Sequence, residues 1–221
     1  MMISPEIFYN DKLKGKTAPQ ILTVIRGLKQ EIGKLKNIIE APDYICLIHP
    51  STTVQIHFLQ DYLEAAKKAF CDAGGIYIPS ASEKRAMKFE ENICNIERIE
   101  FLIGGFLNGY EKRCYIIKNG RVYAESEHIM IPGQRGDQKS RTEYTDKESF
   151  FEEIKALRIG EMRKSYTSDR FGIIYCDGTQ WELNVYFSNE LKPHRIYGDN
   201  AYSYNFDRIL DFFDCAELSY R

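Results

Sequence analysis

No stretch of this 221-residue chain approaches the roughly eighteen consecutive apolar residues of a membrane-spanning helix, so no membrane span is expected. None of the six cysteines (Cys46, Cys71, Cys94, Cys114, Cys176, Cys215) belongs to a CxxC pair, which argues against a zinc site or a redox motif. The four histidines (His49, His57, His128, His194) show neither HxH nor HxxxH spacing, so a metal would need ligands from distant segments, with Asp177, Glu182 or Asp199 completing the set. There is no Gly-x-Ser-x-Gly elbow, and neither Gly104-Gly105 nor Gly133-x-x-Gly136 leads from a strand into a lysine-bearing helix as a phosphate loop does. Charge of one sign is missing as well. Residues 1–94 hold 12 Lys/Arg against 11 Asp/Glu and residues 95–221 hold 18 against 21, without the basic excess of a general nucleic-acid binder. The opening MMISPEIFYNDK has no apolar core behind a basic start, and each cysteine lies in or beside an apolar run. A cytoplasmic protein with reduced, buried thiols is the expectation.

What the chain does have is a strong helical seam. Thr17–Glu40 carries Ile21, Ile25, Leu28, Ile32, Leu35 and Ile39 at alternating spacings of four and three, which places them on one face of a helix. Thr17-x-x-Gln20 is a capping box, Pro19 lies in the first turn, and Pro42 stops the helix. A second capped segment begins at Thr52-x-x-Gln55 and runs to about Ala73, with Ile56, Leu59, Leu63, Ala66 and Phe70 as its seam. The two seams match as an antiparallel hairpin over residues 17–73. A homodimer through Ile21, Ile25, Leu28, Ile32, Leu35 and Ile39 is the alternative use of the same face. Short helices are expected at about residues 4–12 and 80–92, so residues 1–94 read as a helical module.

From Ile96 the apolar period falls to two. The pattern predicts strands over about 96–107, 110–118 and 121–131, joined by Asn108-Gly109 and Asn119-Gly120, dipeptides that accept the positive φ of a tight hairpin turn. A polar segment, Pro132–Tyr144, reads as an exposed loop, and a helix follows at about 145–157. Strands are then expected at Phe171–Cys176, Thr179–Phe187 and Lys192–Tyr197, with a last helix capped by Asn205. Residues 95–221 thus form an antiparallel meander, three strands and a helix, twice, with helices on one face. The fold class is α+β.

The phrases ISPEIFYNDKLKGKTAPQILTVIRGLKQEIGKLKNIIEAPDY, IGGFLNGYEKR and DGTQWELNVYFSN followed by GDNAYSYNFDRIL resemble a family of uncharacterised proteins of anaerobic Gram-positive bacteria. The resemblance runs nearly the full length. It implies a bacterial, cytosolic protein and brings no activity, cofactor or site residue.

Candidate chemistry is thin. Glu125 and Glu127 share one strand face about 7 Å apart while His128 points to the other, which breaks that triad. Arg135, Lys139 and Arg141 in the polar segment suit a phosphate or an acidic partner. Tyr197, Asn200, Tyr202 and Tyr204, in the aromatic stretch YGDNAYSYNF, suit a binding surface, because tyrosine offers a large contact area with a hydrogen-bonding tip. The reading is a non-enzymatic accessory or inhibitor that binds a protein partner through the hairpin or the tyrosine-rich C-terminal face. A ligand- or nucleic-acid-sensing module using the basic segment and a hydrolase of unrecognised type are the alternatives. No cofactor, metal or catalytic residue is assigned.

Overall fold

The computed structural model describes residues 3–42, 44, 50–105, 109–129, 140–174 and 178–217. The chain divides into two compact units, Met1–Pro79 and Ser80–Arg221.

The first unit contains α1 (Pro5–Lys12), α2 (Ala18–Ile39) and α3 (Thr52–Asp72). Caps place the helix starts. The Ser4 side chain accepts from Ile7 N, Gln20 Oε1 accepts from Thr17 N at 2.9 Å, and Ser51 rather than Thr52 caps α3 through Val54 N. Along α2 the seam residues Ile21, Ile25, Leu28, Ile32 and Ile39 are buried, and Leu35 is half-buried. They pack against α3, which buries Ile56, Leu63, Ala66 and Phe70 of its expected seam and leaves Leu59 half-buried. This intramolecular packing takes up the face that a homodimer through Ile21, Ile25, Leu28, Ile32, Leu35 and Ile39 would use. Each fully buried isoleucine contributes about 1.5–3 kcal/mol, which offsets the helix cost of Gly27 and Gly33 at about 1 kcal/mol each. The first helix is stitched on by Tyr62, whose ring stacks on Phe8 at 4.3 Å. Its hydroxyl donates to Ile3 O and accepts from Ile3 N.

The second unit opens with α4 (Ala81–Glu90), started by a capping box in which Glu83 Oε2 accepts from Ser80 N. Grouped by sequence with the helical module, α4 instead belongs to this unit. It lies against a 3₁₀ turn at Ile159–Glu161, where a side chain on Gly160 would meet Ala86 Cα and Phe89 Cβ at 2.9 Å.

Then come β1 (Ile96–Gly105), β2 (Gly109–Lys118), β3 (Arg121–Ile129), β4 (Ser140–Asp146), α5 (Lys147–Ala156), β5 (Ser165–Thr167), β6 (Gln180–Phe187), β7 (His194–Asp199) and α6 (Phe206–Phe212). They build one seven-stranded sheet in the order β4-β3-β2-β1-β6-β7-β5, antiparallel except for the short parallel pair β5–β7. Ile99, Phe101, Ile103, Tyr115, Val122, Trp181, Leu183, Val185 and Ile196 share its inner face. Phe89, Phe150, Ile154, Phe206, Ile209, Phe212 and Phe213 from the helical side join them in one core. Trp181 is held by its Nε1–H donating to Ala201 O, and Gly198 opposite it has no room for a side chain, since a Cβ there would lie 2.0 Å from Nε1. An α+β protein, with a helical start and a sheet covered by helices on one face, is what the structure shows.

Three further expectations are corrected. The turn expected at Asn108-Gly109 is displaced, since Gly109 is already a β2 residue paired with Gly105, and residues 106–108 lie outside the described residues. Residues 140–144, read as the end of the polar loop, and residues 145 and 146, read as the start of the next helix, form β4, an edge strand paired only with β3. An edge strand needs no apolar alternation, so its polar sequence hid it. The strand expected at 171–176 does not form over its described part. Residues 168–171 make a 3₁₀ turn, Gly172 takes φ +73°, Ile174 is 87% exposed, and residues 175 and 176 lie outside the described residues.

Burial of the α2 seam sets a stability test. Ile25→Ala removes a side chain 1% exposed and should lower unfolding free energy by about 2–5 kcal/mol. Ile38→Ala, on the outer side at 52% exposure, should stay within about 0.5 kcal/mol. Chemical denaturation followed by helical circular dichroism reads both, and equal midpoints for the two variants would contradict the packing.

Candidate functional site

The site-bearing part of the sheet is organised by the turn at Asn119-Gly120, where both residues take positive φ (53° and 76°) and close the pair Lys118↔Arg121. Each step back along β2 is matched by a step forward along β3, so Arg113 lies opposite Ser126 and Glu111 opposite His128 on the inner side. Lys112 lies opposite Glu127 and Cys114 opposite Glu125 on the outer side. His128, separated from Glu125 and Glu127 by the pleat, meets Glu111 instead. His128 Nδ1 is 2.5 Å from Glu111 Oε1, and Arg113 Nη2 is 3.9 Å from the same carboxyl group. That partnership was readable from the turn, because a two-residue hairpin dictates which residues face each other.

The outer face is open. Cross-strand register brings rows of side chains together across it. One row runs Glu127, Lys112, Leu102, Glu182, Tyr197, a second Glu125, Cys114, Glu100, Asn184, Arg195, and a third Tyr123, Ile116, Arg98, Tyr186. At the rim Ile129 pairs with Tyr110, whose hydroxyl reaches across Gly104 to donate to Gln180 Oε1 at 2.9 Å. At the centre Glu100, 13% exposed in its side chain, receives Arg98 at 3.3 Å, Lys112 at 3.2 Å and the Tyr186 hydroxyl at 3.1 Å. Arg98 also lies over the Tyr186 ring at 4.1 Å. A half-buried carboxylate with three donors is a rigid hub, and it holds its partners in place. Beside it a shallow depression is lined by Arg98, Glu100, Lys112, Cys114, Ile116, Glu125, Ser126 and Glu127.

The shifted thiols, phenol and imidazole of this unit are pushed toward their uncharged forms. Burial, then the Glu100 carboxylate, raises the Cys114 thiol to about 11, and burial with Glu100 also raises the Tyr186 phenol. Burial raises the Cys215 thiol against the opposing influence of Arg113. His194, packed against the Phe89 ring at 5.1 Å, is lowered by burial first and then by Lys164 and Arg85.

The residues singled out in the sequence do not form one surface. Tyr197 is 52% exposed on the outer face. Asn200, at φ +51°, accepts from Thr179 N at 2.9 Å and fills the space over Gly178, a turn-building role. Tyr202 packs on Phe206 at 4.7 Å, and Tyr204 is buried with its hydroxyl 3.4 Å from Glu161. Arg141 is a β4 residue paired in register with Glu125. Arg135 and Lys139 lie outside the described residues. The outer-face tyrosines Tyr110, Tyr123 and Tyr186 were not singled out, because each lies on a different strand and only the register unites them. Among the described residues no three His, Cys, Asp or Glu side chains converge as a metal would require. The four described cysteines are free thiols, but Cys71 and Cys94 are exposed, which corrects the expectation that all are buried. Cys71 follows the buried Phe70 at the helix end, where the seam has already turned away. No protein-family model, curated protein or solved structure matches this chain.

Two outcomes follow from these environments. Native alkylation mapped by mass spectrometry should label Cys71 and Cys94 and leave Cys114 and Cys215 unlabelled until denaturation; fast labelling of Cys114 would contradict its burial. For His194 the unfolded chain binds a proton that the folded chain resists, so its contribution to stability is complete above about pH 6.5 and is lost as pH falls from there toward its lowered folded value. His194→Gln should flatten that acid slope in unfolding curves followed by Trp181 fluorescence, and an unchanged slope would exclude this histidine as its source.

Proposed function

We propose that this protein is a non-enzymatic interaction protein that binds a protein partner through the open face of the sheet. One observation carries the reading. Among the described residues that face gathers four tyrosines, Tyr110, Tyr123, Tyr186 and Tyr197, with Leu102, Ile116 and Ile129, around the Glu100 hub. Tyrosine is enriched at protein interfaces because its rigid ring buries much area at low entropic cost while its hydroxyl stays paired, and a preorganised hub reduces the ordering cost of binding. The expected hairpin route is weaker, since the α2 seam is occupied by α3. A sensing role for Arg135, Lys139 and Arg141 gains no added support, since Arg135 and Lys139 lie outside the described residues and Arg141 is described only as a backbone position of β4. A cytoplasmic, bacterial setting belongs to the proposal, resting on the family resemblance and the free thiols. No described helix is long and apolar enough to cross a membrane.

The hydrolase alternative keeps one specific observation, the Glu111–His128 pair, since a carboxylate-oriented imidazole is the form a general base takes. Against it stand the buried thiols of Cys114 and Cys215, both held in the protonated, weakly nucleophilic form. An activity abolished by His128→Ala and weakened by Glu111→Gln would favour the enzyme.

Affinity capture from the native host, with proteins and nucleic acids both identified, supplies the partner, and purified components then give its Kd. Tyr197→Ala should weaken that Kd about tenfold, roughly 1.4 kcal/mol, and leave the melting temperature within a few degrees. Tyr204→Ala should lower stability without a separate effect on binding. Unchanged affinity in Tyr197→Ala combined with Leu102→Ala would overturn the open face as the binding surface.

A further inference from the structure

We draw no further inference here: the strongest candidate, the depression over Cys114 on the open sheet face between Glu100, Glu125, Glu127, Arg98 and Lys112, belongs to the surface already described, and nothing in the structure shows which ligand fills it.

Discussion

The second unit depends on the tight turn at Asn119-Gly120. Two consecutive residues at positive φ reverse the chain with a twist that matches its flanking strands, and they leave no freedom in the pairing that follows. A slip of one residue would exchange the two faces of β3 relative to β2, sending Val122 and Ala124 outward and Tyr123, Glu125 and Glu127 into the core. Burying two carboxylates without partners costs far more than the difference between competing turns. The turn and the core therefore specify the same register.

That register gives the sheet two unlike faces. On the inner one, Phe101 contacts the rings of Trp181, Phe206 and Phe213, and Tyr115 joins Phe150, Phe212 and Phe213 while its hydroxyl donates to Phe212 O. Aromatic packing of this density fixes where α5 and α6 lie. On the outer one, polar ends and apolar stems share the surface, and the Glu100 hub holds Arg98, Lys112 and Tyr186 by charge-assisted and hydroxyl bonds. A face of that composition needs no covering layer to be stable, yet it offers contact area at little further entropic cost. The first unit solves its own problem independently, with the α2 and α3 seams closed on each other and Tyr62 tying down the chain at Ile3.

Much of the fold was legible because helices and central strands announce themselves locally. The α2 seam, the capping residues Ser4, Thr17 and Ser80, and the two-residue turn are short-range signals, whereas Asn205 stands at the start of α6 without capping it and donates its side-chain amide to Leu157 O instead. What escaped was set by distant partners. The edge strand β4 is defined by β3 rather than by its own pattern, β5 is three residues long and exists by pairing with β7, and Tyr62 acts through a residue 59 positions away. The candidate site was legible in the same proportion. A run of tyrosines in YGDNAYSYNF attracts notice, but α6 and the turn at Asn200 consume most of it. The tyrosines that remain outward are spaced along four strands, and only cross-strand pairing shows that they are neighbours.

The central claim is that one face of this sheet is core and the other a surface, and Leu102, whose neighbours in sequence are the buried Phe101 and Ile103, separates the two most sharply. The decisive measurement is the equilibrium unfolding of Leu102→Asp followed by Trp181 fluorescence. An outward Leu102 predicts a loss of no more than about 1 kcal/mol, with the native emission retained. A loss of about 3 kcal/mol or more, the size expected when a core side chain is removed and a charge is put in its place, would contradict the register and the surface built on it.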